Sequence, residues 1–127
     1  MPAAARPSVG QIHITVSDVE QSVAWYRDVL GLEHLFTVPG QPMAFLDGGG
    51  VRLYLGVTED PSFASRPLVY YRVDDLDTAW SDVTGRGAEA VSPPQLIHRA
   101  GGTELWMAFV RDPDGIAVGL MQERPEA

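Results

Sequence analysis

Apolar and polar residues alternate strictly from Gln11 to Val16. Ile12, Ile14 and Val16 point one way and Gln11, His13 and Thr15 the other, as in a half-buried strand. The period then lengthens. Val19, Val23, Tyr26 and Leu30 recur at helical spacing behind Asp18, which reads as an N-cap with Gln21 three residues on. Gly31 offers a left-handed stop. Residues 11–31 therefore predict strand, cap, helix, stop.

The plan recurs 57 residues later, where "VYYRVDDLDTAW" repeats the order of "IHITVSDVEQSV". Val16 matches Val73, Asp18 matches Asp75, and Val23 matches Trp80. The second helix carries Leu76, Trp80 and Val83 on one face and stops at Gly85 or Gly87. Further on, "DGGGVRLYL" at 47–55 mirrors "DPDGIAVGL" at 112–120, each a turn followed by an alternating strand. The wider offset implies roughly eight extra residues in the second half, assigned to the loop "AVSPPQLIHRAGGTE". Each half reads as strand–helix–strand–strand–strand.

These pieces, above all "SDVEQSVAWYRDVLGL" and "MAFVRDPDGIAVGLM", resemble the vicinal oxygen chelate superfamily, the glyoxalase and bleomycin-resistance fold. The resemblance implies an α+β fold of two tandem βαβββ modules whose mixed sheets curl around one cavity, with helices outside. It sets the domain at 9–122, with modules at about 9–60 and 66–122. An arm (1–8) and a tail (123–127) flank it. It also implies a homodimer. The family spans metal-dependent lyases, isomerases and dioxygenases as well as metal-free antibiotic-binding proteins, so the site must decide between them.

Alternation lists the side chains opposite the aliphatic face. They are Gln11, His13 and Thr15; Arg52, Tyr54 and Gly56; Leu68, Tyr70 and Arg72; and Ala117, Gly119 and Met121. From "ELWMAFV", Leu105, Met107 and Phe109 are expected in the core, leaving Glu104, Trp106 and Ala108 for the pocket. Trp106, Tyr54 and Tyr70 are expected to stack on a ligand, with Gln11, His13, Thr15, Arg52 and Arg72 hydrogen-bonding to it. Leu68, Ala108, Ala117, Gly119 and Met121 would leave space, and His98 and Glu104 border the site. The resemblance places the family's metal ligands at Gln11, Leu68, Tyr54 and Gly119. That set has no carboxylate and no imidazole, so no metal and no cofactor are expected.

Charge narrows the partners. Seventeen acids face nine bases, all arginine, for a net charge of −8. That disfavours nucleic acid and anionic membrane and makes cationic or neutral small molecules the natural ligands. Without lysine there is no Schiff-base chemistry, and without cysteine there are no disulfides or thiolate sites. No apolar run approaches the roughly 20 residues that span a bilayer. The chain is expected in the cytoplasm.

The expected function is metal-free binding that sequesters an aromatic natural product or antibiotic. A metal-free lyase, isomerase or cyclase with His13 as acid–base is the alternative. A metal-dependent glyoxalase-like enzyme or dioxygenase stands third.

Overall fold

The computed structural model describes residues 6–126; the start of the expected arm, residues 1–5, and Ala127 lie outside them. Two four-stranded mixed sheets follow one another along the chain. The first contains β1 (Gln11–Thr15), β2 (Glu33–Thr37), β3 (Met43–Asp47) and β4 (Arg52–Gly56), in the order β1-β4-β3-β2. The second contains β5 (Val69–Arg72), β6 (Glu89–Ala100), β7 (Thr103–Arg111) and β8 (Ala117–Pro125), in the order β5-β8-β7-β6. In each sheet the first strand runs parallel to the last and the rest are antiparallel. The tandem βαβββ plan is thus the fold. Among the described residues, no helix is long and apolar enough to cross a membrane.

Both expected caps form. Asp18 accepts the Gln21 N–H ahead of α1 (Val19–Ala24), and Asp75 accepts the Thr78 N–H ahead of α2 (Leu76–Gly85). The first helix then winds on as a wider π-helical stretch, Trp25–Leu30, closed by Gly31 at φ +97°. Trp25 and Leu30 from this stretch pack against the cores of both modules. Ile14, Leu46, Leu53 and Leu55 are essentially solvent-free in the first core. Burying each such side chain contributes about 1.5–3 kcal/mol. Leu76, Val110 and Leu120 do the same in the second. The modules are tied by the buried Tyr26 hydroxyl, which donates to Asp112 Oδ2 at 2.8 Å.

Three expectations are corrected. The extra residues of the second half extend a β6–β7 hairpin rather than forming a loop, and bulges in its pairing absorb the Pro93-Pro94 step. β8 runs on to Pro125, so the tail expected from residue 123 is strand. The facing of β7 is opposite to that expected. Ala108 pairs with core Leu120 and Val110 with Val118, so Glu104, Trp106, Ala108 and Val110 face α2, while Leu105, Met107 and Phe109 take the concave face. "ELWMAFV" is apolar at both parities, and alternation alone could not choose between them.

Candidate ligand pocket

One row of side chains crosses the concave face of the first sheet. Cross-strand partners share a face, and the registers Phe36↔Phe45, Phe45↔Tyr54 and Tyr54↔His13 set four rings side by side. Phe36 stacks on Phe45 with centroids 4.7 Å apart, and Phe45 stacks on Tyr54 at 5.0 Å. His13 meets Tyr54 edge-on at 4.5 Å. Gly56 makes this possible, since a Cβ there would lie 2.6 Å from the Tyr54 ring. Arg52 projects over the row, its guanidinium carbon 5.0 Å from the Phe45 centroid and 5.8 Å from that of Phe36. Beside the row opens a cavity of about 460 Å³, lined by Gln11, His13, Tyr54, Val57, Thr58 and Phe63. The linker after β4 supplies Val57, Thr58 and Phe63.

Hydrogen bonds fix the polar end of the row. Ser65 N–H donates to Thr15 Oγ1 at 2.7 Å, and Thr15 Oγ1 lies 3.0 Å from His13 Nε2. Thr15 Oγ1 donates to Nε2 or accepts from it according to the tautomer of His13. The other ring nitrogen, Nδ1, is buried and has no partner. Burial lowers the His13 pKa below its ordinary 6.5 and holds the ring neutral. Gln11 Oε1 accepts from Arg52 at 3.0 Å.

The second sheet carries the corresponding row Ser92, Phe109, Gly119, Tyr70. Here the strand position matching Tyr54 is Gly119, and the Tyr70 ring lies across it, 2.6 Å from where a Cβ would stand. Tyr70 also meets Phe109 edge-on at 5.6 Å. Leu68 and Tyr70 are exposed, Met121 is half-buried, and Arg72 pairs with Glu123 at 3.0 Å.

The remaining expected pocket residues lie elsewhere. Glu104, Trp106 and Ala108 face α2, and Ala108 has no exposure at all. Glu104 accepts from Arg99 at 2.7 Å and from the Trp106 indole N–H at 3.0 Å, and those bonds hold its carboxyl below the usual range, the indole contributing most. Arg124 covers the Trp106 ring at 4.4 Å. His98 is exposed on β6, away from the ring row. Phe36, Phe45 and Phe63 were not among the expected pocket residues. The repeat of "MAFL" (43–46) in "MAFV" (107–110) was the signal available for Phe45.

A larger cleft, about 740 Å³, opens between the modules and is bordered by Ile12, Leu53, Tyr71, Val73, Val83 and Arg86. Aliphatic residues dominate its walls, but Tyr70, Arg72 and Met121, three of the expected pocket residues, stand among them with Asp82. Around the smaller cavity the lining is almost wholly rings and polar groups, His13, Tyr54, Phe63, Gln11 and Thr58, with Val57 the one aliphatic side chain.

The family profile for the glyoxalase/bleomycin resistance protein/dioxygenase superfamily matches residues 8–120. The chain belongs to this superfamily. Among solved structures, it is 26% identical to TnmS3, an antibiotic binding protein from Streptomyces sp. CB03234, with a TM-score of 0.75, covering 96% of this chain and all of that one. TioX from Micromonospora sp. ML1 shares the fold at 24% identity and a TM-score of 0.69, over 91% of this chain and 98% of its own. A virulence protein of Salmonella typhimurium is 24% identical over 90% of this chain and 83% of its own length.

The superfamily's metal-ligand positions do not fit a metal here. Gln11 spends its amide oxygen on Arg52, Tyr54 belongs to the ring row, Leu68 has no donor atom, and Gly119 lies beneath Tyr70. A divalent ion needs several anionic or imidazole donors converging on one point. Among the described residues, no group of three or more histidine and carboxylate side chains is placed to hold one.

Proposed function

We propose that this chain is a metal-independent binding protein that sequesters an aromatic small molecule of the natural-product or antibiotic class. The observation that carries the reading is the row Phe36–Phe45–Tyr54–His13 beside a cavity of about 460 Å³. Tyr54 on the cavity wall and the exposed Phe36 at the end of the row, both held by their ring neighbours, offer aromatic contact area at little entropic cost. TnmS3, an antibiotic binding protein, has the same fold, which supports the assignment. The state of His13 weighs against an acid–base enzyme. One ring nitrogen is bonded to Thr15 and the other is buried, so neither stands ready to exchange a proton with a substrate.

The protein works as a cytoplasmic homodimer in this reading. Exposed Leu68, Tyr70 and Ile97 on the second module are the support, since a second copy would cover them. Calorimetric titration with a panel of aromatic antibiotics tests the proposal. The expected result is saturable binding, unaffected by prior dialysis against a chelator, with the compound recovered unchanged. Replacing the exposed Phe36 by Ala should weaken binding by about 3- to 10-fold. Recovery of a converted product would replace sequestration with catalysis.

A further inference from the structure

The hydrogen-bonding capacity left unused around the ring row is almost wholly of one kind. Gln11 gives its amide oxygen to Arg52, which leaves two N–H donors. His13 adds nothing to this capacity, since Nε2 is bonded to Thr15 and Nδ1 is buried out of a ligand's reach. Thr58 Oγ1 is spent on Asp60, donating to its carbonyl and accepting its N–H. Tyr54 alone can act in either sense.

Arg52 completes the pattern. Its guanidinium lies over Phe36 and Phe45, and no carboxylate of the described residues comes within salt-bridge reach of it. The nearest acid in the sheet register is its cross-strand partner Asp47. Asp47 instead turns Oδ1 to the N–H groups of Gly49 (2.8 Å) and Gly50 (3.2 Å). In the linker, Asp60 likewise spends Oδ1 on Ser62. In a chain with nearly twice as many acids as bases, the cation over the ring row is left uncompensated.

We infer that the ligand is an aromatic ring system bearing an acceptor oxygen at its edge, carboxylate, phenolate or carbonyl, which Arg52 and the Gln11 amide engage while the rings stack. Arg52 is then the specificity residue. A cationic aromatic would meet Arg52 with like charge and find few acceptors, so the local chemistry overrides the overall negative charge, which salt screens beyond about 8 Å. This inference rests on the ring row being the ligand site and adds the ligand's polarity to it.

Two probes with the same rings separate the possibilities: 2-naphthoate and 2-naphthylmethylammonium. Each is titrated into the full chain, with affinity read from backbone amide NMR shifts. Naphthoate should bind at least about tenfold tighter. Its shifts should centre on His13, Phe45, Arg52 and Tyr54. Arg52→Gln should bring the two probes within about threefold of each other. Gln11→Glu, which places a carboxylate against Arg52, should weaken naphthoate by at least about tenfold. Both substitutions are at exposed positions, and the spectrum of the free protein reports folding directly. Equal or tighter binding of the ammonium probe would overturn the inference and leave the ring row standing. So would a preference that survives Arg52→Gln. If neither probe binds at millimolar concentration, or both shift only residues away from the row, the ring row is not the site and both readings fall.

Discussion

His13 shows how one side chain's bonds define what a site can do. Nitrogen-detected NMR at neutral pH reads the order of protons: an Nδ1–H signal means that Thr15 donates to Nε2, an Nε2–H signal that Thr15 accepts. Its lowered pKa has a consequence for stability. The unfolded chain takes up the His13 proton near pH 6.5, the folded chain at a lower pH. Between the two, the unfolded state binds more protons. The His13 contribution is therefore complete above about pH 6.5 and is lost as pH falls through the folded value. Urea titrations from pH 7 to pH 5 should show wild type losing stability relative to His13→Gln, and parallel curves would refute this. Gly119 offers a second test. A methyl there overlaps the Tyr70 ring, so Gly119→Ala should cost about 1–3 kcal/mol. In a Tyr70→Ala background the cost should largely vanish.

At the level of strands and helices, caps and stops were legible because each is a local bond. Asp18 and Asp75 act through the third residue after them, and Gly31 through its own φ. Strands with one aliphatic parity, such as "QIHIT", were legible as well. β7 was not, because its facing is decided by which residues lie opposite Leu120 and Val118, a fact of pairing rather than of pattern. That error placed Trp106 in the pocket with Tyr54 and Tyr70, whereas it packs on the helix side of the second sheet. Phe36 was hidden for a related reason: a register shift between His34 and Phe36 carries its side chain over Phe45. The long hairpin has its own test. Near its turn Glu104 bonds Arg99 across the hairpin and Trp106 along its own strand, so Glu104→Ala should lower the melting temperature and raise hydrogen exchange in residues 95–106 before it affects β1 or β4. Uniform exchange across both sheets would show that the hairpin is not a separate unit.

Across the whole molecule, one buried bond joins the halves. Burial, reinforced by the Asp112 carboxylate, pushes the Tyr26 phenol far up, so it remains a proton donor at any ordinary pH. Tyr26→Phe leaves Asp112 Oδ2 without that partner and should cost about 1–3 kcal/mol in urea denaturation. An unchanged midpoint would mean the apolar packing of Trp25 and Leu30 suffices. Sedimentation at micromolar concentration should give twice the monomer mass if a second copy covers the second module's exposed apolar side chains.

The same bond exists on one side only. By the internal repeat, Tyr26 corresponds to Val83 and Asp112 to Asp47. Val83 has no hydroxyl, so the bond runs from first half to second with no return. Two copies of the first half joined in tandem would hold a tyrosine and an aspartate in each unit, and two copies of the second would hold the aspartate twice and no tyrosine. The asymmetry gives the two halves a fixed order that shuffling them would erase.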